Sequence, residues 1–274
     1  MKVRFFIFVV LFLGLLSSAV LAAPTNCPQQ YLGGQAPDFL NQKLAAKAEQ
    51  ICYDEFALIY SGITRTPLLS AEHLTQRELE VKHPRRHNAF HPDPNVPPAY
   101  SAELHDYARS GFDRGHMAPS GDMPDKRSQY QSFSLANIVP QVPQNNRFLW
   151  EGIEAATRKL AKKDGQLYVV TGPIFHGPNL QRIGGRVLVP TYLFKAIYDP
   201  AQNGAGAYLV PNAPGNRYAV ISIAKLDQLS GISVFVALPQ AVKEKAMDLP
   251  VPRTRGKMAA VRDENIVPRI GWKG

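Results

Sequence analysis

The stretch Phe112-Asp113-Arg114-Gly115-His116 sets an acid, a guanidinium and an imidazole side by side, with a glycine before the imidazole. Arginine offers a rigid fork of donors that fits phosphate oxygens, and imidazole titrates near neutrality. One group can therefore bind a phosphoryl oxygen while the other takes a proton from water. The glycine permits a close backbone approach or an unusual turn. Taken in isolation, so short a match serves equally well as a surface turn with an ordinary salt bridge and a solvated histidine.

A second group follows: Leu135-Ala136-Asn137-Ile138-Val139-Pro140-Gln141, then Asn146, Trp150, Glu154 and Arg158. The last four recur every fourth residue, so on a helix successive members are offset by about 40° and share one polar flank. Read alone, Asn146 suits a helix N-cap. Glu154 and Arg158 suit an exposed ion pair worth ~0.3–0.5 kcal/mol, and Trp150 suits the core.

Together the two groups resemble one family. Asp113-Arg114-Gly115-His116 with Met117-Ala118-Pro119, then Asn137 to Gln141, Asn146, Trp150, Glu154 and Arg158, match in order and spacing the signature of the DNA/RNA non-specific endonucleases of the ββα-metal superfamily. The resemblance extends to Val170-Thr171-Gly172-Pro173-Ile174-Phe175 and to Val189-Pro190-Thr191-Tyr192 through Lys195, roughly residues 52 to 240. It implies an α+β class, the ββα-metal nuclease fold, with a mixed central antiparallel sheet flanked by helices. It implies His116 as general base and Asn146 as the metal ligand through its amide oxygen. Glu154 would accept hydrogen bonds from the metal's waters, while Arg114 and Arg158 would stabilise phosphate charge. The arginine that precedes an F…D segment is shared between Arg85 and Arg86, both upstream of Phe90 and Asp93. Asp113 joins these two near the substrate, as an acceptor that positions the loop. The implied cofactor is Mg²⁺, with Mn²⁺ as another divalent ion that such oxygen donors accept. The implied substrates are DNA and RNA, single- or double-stranded, because such a site reads phosphates and not base edges. Two other readings use the same residues: an exported polyanion-binding module without hydrolysis, and a metal phosphodiesterase acting on a small substrate. Nothing in the sequence identifies a homodimer interface or an inhibitor protein.

The elements that must hold these residues are mixed. Glu55–Tyr60, Gln166–Thr171, Arg186–Ile197 and Tyr218–Ile223 are rich in β-branched or aromatic residues and read as strands. Asn146 to Lys163 reads as a helix, with Phe148, Leu149, Ile153, Ala156 and Leu160 on one stripe and Gly165 as its stop. A shorter helix is expected over Pro239 to Met247. His91-Pro92-Asp93-Pro94 and Val96-Pro97-Pro98 form a proline-rich surface loop with apolar segments close on either side, so residues 23–274 are expected to make a single domain.

Residues 1–22 open with Lys2 and Arg4, run apolar from Phe5 to Leu16 and close on small residues, the pattern of a cleaved signal peptide. The apolar run is shorter than the ~20 residues of a spanning helix. The expected location is therefore periplasmic or extracellular, with no membrane anchor after cleavage. Removing this segment lowers the formal charge from +9 to +7, since it holds two basic residues and no acid. Such a balance favours polyanionic partners. In an exported chain the two cysteines, Cys27 and Cys52, are expected to pair and to pin the N-terminal segment by roughly 3 kcal/mol.

Overall fold

A computed structural model of the chain describes residues 25–254 and 259–268. The segment read as a signal peptide, residues 1–22, lies outside the described residues.

Strands β1 (Ala48–Cys52), β2 (Ala57–Ser61) and β3 (Thr66–Thr75) run as an antiparallel meander. The chain then leaves the sheet to build a small antiparallel pair, β4 (Asp113–His116) and β5 (Ile138–Gln141), with the short helix α1 (Lys126–Ser132) between them. Helix α2 follows directly: a π-helical turn, Asn145–Trp150, runs into the α-helical Glu151–Asp164. Gly165, with φ +92°, stops it and hands the chain to β6 (Gln166–Ile174). Strands β7 (Tyr192–Asp199), β8 (Gly204–Pro211) and β9 (Arg217–Ile221) complete the meander, helix α3 (Ile223–Ser230) follows, and β10 (Val261–Arg262) adds an edge.

Among the described residues the main sheet has eight strands in the order β10-β9-β8-β7-β6-β3-β2-β1. Every neighbouring pair is antiparallel except β9 with β10. Alternate side chains face opposite cores, as the two-residue period of a strand requires. On β7, Phe194 and Ala196 pack with Leu226 of α3 on one face, while Leu193 and Ile197 pack with Trp150 and Ile153 of α2 on the other. Both faces are thus dry, and the site-bearing helix is clamped to one of them.

The expected strand over Arg186–Ile197 is divided. Val187–Leu188 pairs with Arg182–Ile183, and β7 begins only at Tyr192. Pro190 lies between and has no N–H to give a ladder, while the Asn212 amide bonds its carbonyl. The expected helix over Pro239–Met247 is reduced to Gln240–Glu244.

Candidate active site

The β4–β5 pair places Asp113 opposite Gln141 and His116 opposite Ile138, so the two motif segments become adjacent strands. Gly115 is dictated by this pairing: a Cβ there would lie 2.1 Å from Oε1 and 2.7 Å from Cβ of Gln141. The loop after His116 is braced by Asn137, fully buried, which accepts from the Ala118 N–H at 2.9 Å and donates to the Ala118 and Ser132 carbonyls at 2.8 and 2.9 Å.

His116 is 6% exposed and its Nε2 has no hydrogen-bond partner. The Phe133 ring meets it edge-on at 4.9 Å between centroids, and Phe90 lies at 5.4 Å. Burial, reinforced by the Arg86 guanidinium, pushes its imidazolium down to about 3. The imidazole is therefore neutral through the ordinary pH range and free to accept a proton.

Asn146 sits inside the helix and not at its cap, because Pro143 and Gln144 are already helical and its N–H bonds the Val142 carbonyl at 2.9 Å. Its Nδ2 donates to Asp113 Oδ2 at 3.0 Å, which leaves the amide oxygen unengaged. Arg147 grips the same carboxylate at 2.7 and 2.8 Å. Burial alone would raise Asp113; the hydrogen bonds from Arg147 and Asn146 more than offset it and hold the carboxyl below its ordinary value. Asp113 thus orients the asparagine.

Arg158 bonds Asp122 at 2.6 Å, and the i, i+4 ion pair with Glu154 that the spacing would suit in isolation is not formed among the described residues. Burial raises the half-buried Glu154 to about 7 against the pull of Arg158 and Lys195. Beneath it, on the sheet face under α2, lies a polar row set by register: Ser70 is paired with Thr171, and Thr171 with Lys195, while Glu72 is two residues from Ser70. Lys195 is buried and donates to Thr171 Oγ1 at 2.6 Å. Glu72 is fully buried with neither carboxylate oxygen hydrogen-bonded, and its carboxyl is pushed well above its ordinary value by burial and by Asp122.

A cleft of about 510 Å³ gathers Arg86, Arg114, His116, Asn146, Glu154 and Arg158. Arg86 is held there by Ser120 at 2.8 Å, and Arg114 lies 4.6 Å over the Phe90 ring. Arg85 faces elsewhere, into a neighbouring depression. Among the described residues no cluster of three or more His, Cys, Asp and Glu side chains could enclose a metal ion. The amide oxygen of Asn146 and the carboxyl of Glu154, which line this cleft together, instead fit a hard ion that keeps most of its waters. The sequence reading missed Asp122, Arg147, Phe90, Phe133 and Glu72 as parts of this site. Only the F…D segment gave a signal, for Phe90; the others come from packing.

The expected cysteine pair is present, Cys27–Cys52, with Cα atoms 5.8 Å apart.

A family profile described as DNA/RNA non-specific endonuclease matches residues 36–241. Nuclease EXOG, mitochondrial, of Danio rerio is 36% identical over 223 residues, 74% of this chain and 64% of the relative, so the chain spans less than two thirds of that protein. Nuclease C1 of Cunninghamella echinulata var. echinulata is 32% identical over 224 residues, 74% of this chain and 84% of the relative. In fold, a crystal structure of the EndoG/EndoGI complex matches with a TM-score of 0.63 at 24% identity, covering 75% of this chain and 95% of that one. These relatives correct the expected location. The similar proteins of Danio rerio, Homo sapiens and Saccharomyces cerevisiae are named as mitochondrial nucleases, which speaks against the expected periplasm or cell exterior. A basic start without acidic residues is shared by export and mitochondrial targeting segments, so it does not by itself decide between those locations.

Proposed function

Because the chain belongs to the DNA/RNA non-specific endonuclease family, we propose that its single domain is a divalent-metal-dependent endonuclease, served by Mg²⁺ or Mn²⁺, that hydrolyses phosphodiester bonds of DNA and RNA, single- or double-stranded, with little base preference. The observation that carries this reading is the buried, neutral His116 with a free Nε2 in one cleft with the Asp113-oriented Asn146.

In this reading His116 takes the proton from the attacking water at Nε2. Asn146 Oδ1 and, through water, Glu154 would hold the ion. When bound, it neutralises phosphate charge and eases departure of the leaving oxygen. Arg86, Arg114 and Arg158 bind the non-bridging oxygens, and Asp122 keeps Arg158 extended toward them. In this reading these groups address the phosphate and its ion, so base sequence should count for little.

Plasmid DNA and total RNA incubated with the protein should both be degraded in Mg²⁺ and spared by a chelator. His116→Ala should lower turnover by ~10²–10⁴-fold while leaving DNA affinity near normal. Asn146→Ala should abolish cleavage at ordinary Mg²⁺, and Asn146→Asp should restore part of it with altered metal preference. Near-normal cleavage by pure His116→Ala, or binding of nucleic acid without any cleavage by the wild type, would overturn the reading.

A further inference from the structure

Arg85 and Arg86 are neighbours in sequence but face different hollows. Arg86 lines the cleft with His116, whereas Arg85 lines a depression of about 360 Å³ together with His87, Ala89, Lys126, Gln129 and Tyr130. Gln129 borders both, and its side chain pins the intervening segment by donating to the Pro84 carbonyl and accepting from the His87 N–H. The two hollows are thus separated by one thickness of chain. No acidic residue lines the second one, and neither Arg85 nor Lys126 has an ion-pair partner among the described residues.

Tyr130 is the unusual member. It is 53% exposed, yet its ring is fixed: it stacks on His91 at 4.2 Å between centroids and 6° between planes. His91 is itself anchored, its Nδ1 donating to the Ala89 carbonyl at 2.8 Å and its backbone bonded to Phe133 and Leu135. An aromatic ring held from behind and open in front, beside two uncommitted cations, has the chemistry of a stacking platform for a nucleobase with its phosphate alongside.

We propose that this depression is a subsite for the nucleotide adjoining the scissile phosphodiester, with an unpaired base stacked on Tyr130 and its phosphate held by Arg85 and Lys126. It rests on the nuclease reading of the neighbouring cleft and adds a preference to it. A base inside a duplex already has both faces covered, so the platform rewards single-stranded or frayed segments.

Binding of fluorescent oligonucleotides, measured with divalent ions chelated so that no cleavage occurs, tests this. Tyr130→Ala should weaken single-stranded binding by about 5- to 150-fold, and Tyr130→Phe should keep wild-type affinity because the stacking face survives. Duplex affinity should change less than about twofold, and a strand of abasic sites should bind wild type and Tyr130→Ala alike. Arg85→Ala should reduce the salt dependence of log K by about 0.7, one phosphate contact on a single strand. Equal affinity of wild type and Tyr130→Ala for the single strand, or an equal loss on duplex and abasic strands, overturns the subsite. In Mg²⁺ the same oligonucleotides separate the two ideas. Cleavage by the wild type with no Tyr130 effect on binding removes the subsite alone, whereas a Tyr130 effect without any cleavage supports the subsite and removes the nuclease reading.

Discussion

At the scale of single residues, an imidazole held down to about 3 does not charge anywhere near neutrality, so it does not set the acid limit of turnover. A histidine with the ordinary value would impose a decline below about pH 6, where a free imidazole protonates. In the folded site Glu154, raised to about 7, takes up a proton on acidification long before His116, and its protonation would cost the ion an acceptor. In the proposed reading protons and metal would then compete for one carboxylate. The acid limb of kcat/KM should lie near neutrality at low Mg²⁺ and move to lower pH as Mg²⁺ is raised, and Glu154→Gln should abolish that movement. A limb that stays fixed across a hundredfold range of Mg²⁺ would assign it to another group. His116 contributes to stability in a different window. Its folded value lies below the unfolded 6.5, so its share is fully present above that pH and is lost as pH falls toward about 3. The residue types at positions 113 to 116 were legible in the sequence, but the desolvation of His116 was not. It depends on Phe90 and Phe133, which reach the histidine only through the fold.

At the scale of elements, the site depends on how closely β4 and β5 approach. Gly115→Ala should force Gln141 to move, because the new methyl has no room beside its Oε1 and Cβ. The expected result is a loss of ~1–3 kcal/mol of stability with disproportionate loss of turnover, read by denaturant titration and single-turnover kinetics. Wild-type turnover in a fully folded Gly115→Ala would show that the spacing is not needed. The helix that faces this hairpin was legible as to its stop and most of its buried stripe: Leu149, Ile153 and Leu160 are buried, but Phe148, expected beside them, is 43% exposed, because it falls in the π-helical turn. Its first turn was not legible. The four-residue spacing of Asn146, Trp150, Glu154 and Arg158 suggests one regular polar flank, whereas the π-helical turn at Asn145–Trp150 winds the first interval more loosely than the rest. Asn145 helps explain this irregularity: buried, it bonds Gln141 and the Pro211 carbonyl, tying the turn to two strands. No local propensity encodes those partners. The break in the strand at Pro190 was legible in principle, since a proline gives no N–H to a ladder, but the run of apolar residues on both sides conceals it.

At the scale of the whole molecule, the fold class was legible through the family resemblance that the motifs at 113–119 and 137–158 carry, and not through any local pattern of elements. The sheet order was beyond reach, since β6 inserts between β3 and β7 by contacts across nearly a hundred residues. The disulfide is the one long-range tie the sequence did reveal. It joins the segment before the sheet to the end of edge strand β1. Reduction, or the double variant Cys27→Ala with Cys52→Ala, should cost about 3 kcal/mol and lower Tm by roughly 5–10 °C, with no change in Tm counting against a stabilising role. The carboxyl of Glu72 has the opposite character. It is an acid sealed against the sheet floor, and the unfolded chain ionises it more readily than the fold does, so the native state gives up stability as pH climbs above about 4.5. This residue is a reserve of robustness that the molecule leaves unused: Glu72→Gln, which keeps the shape and removes the titration, should raise Tm by an amount that grows from pH 5 to pH 8. Selection for heat or alkali tolerance would gain from a neutral residue at this position, and a variant that melts lower at every pH would mean that the acid is already bonded to Lys195 and has nothing to give.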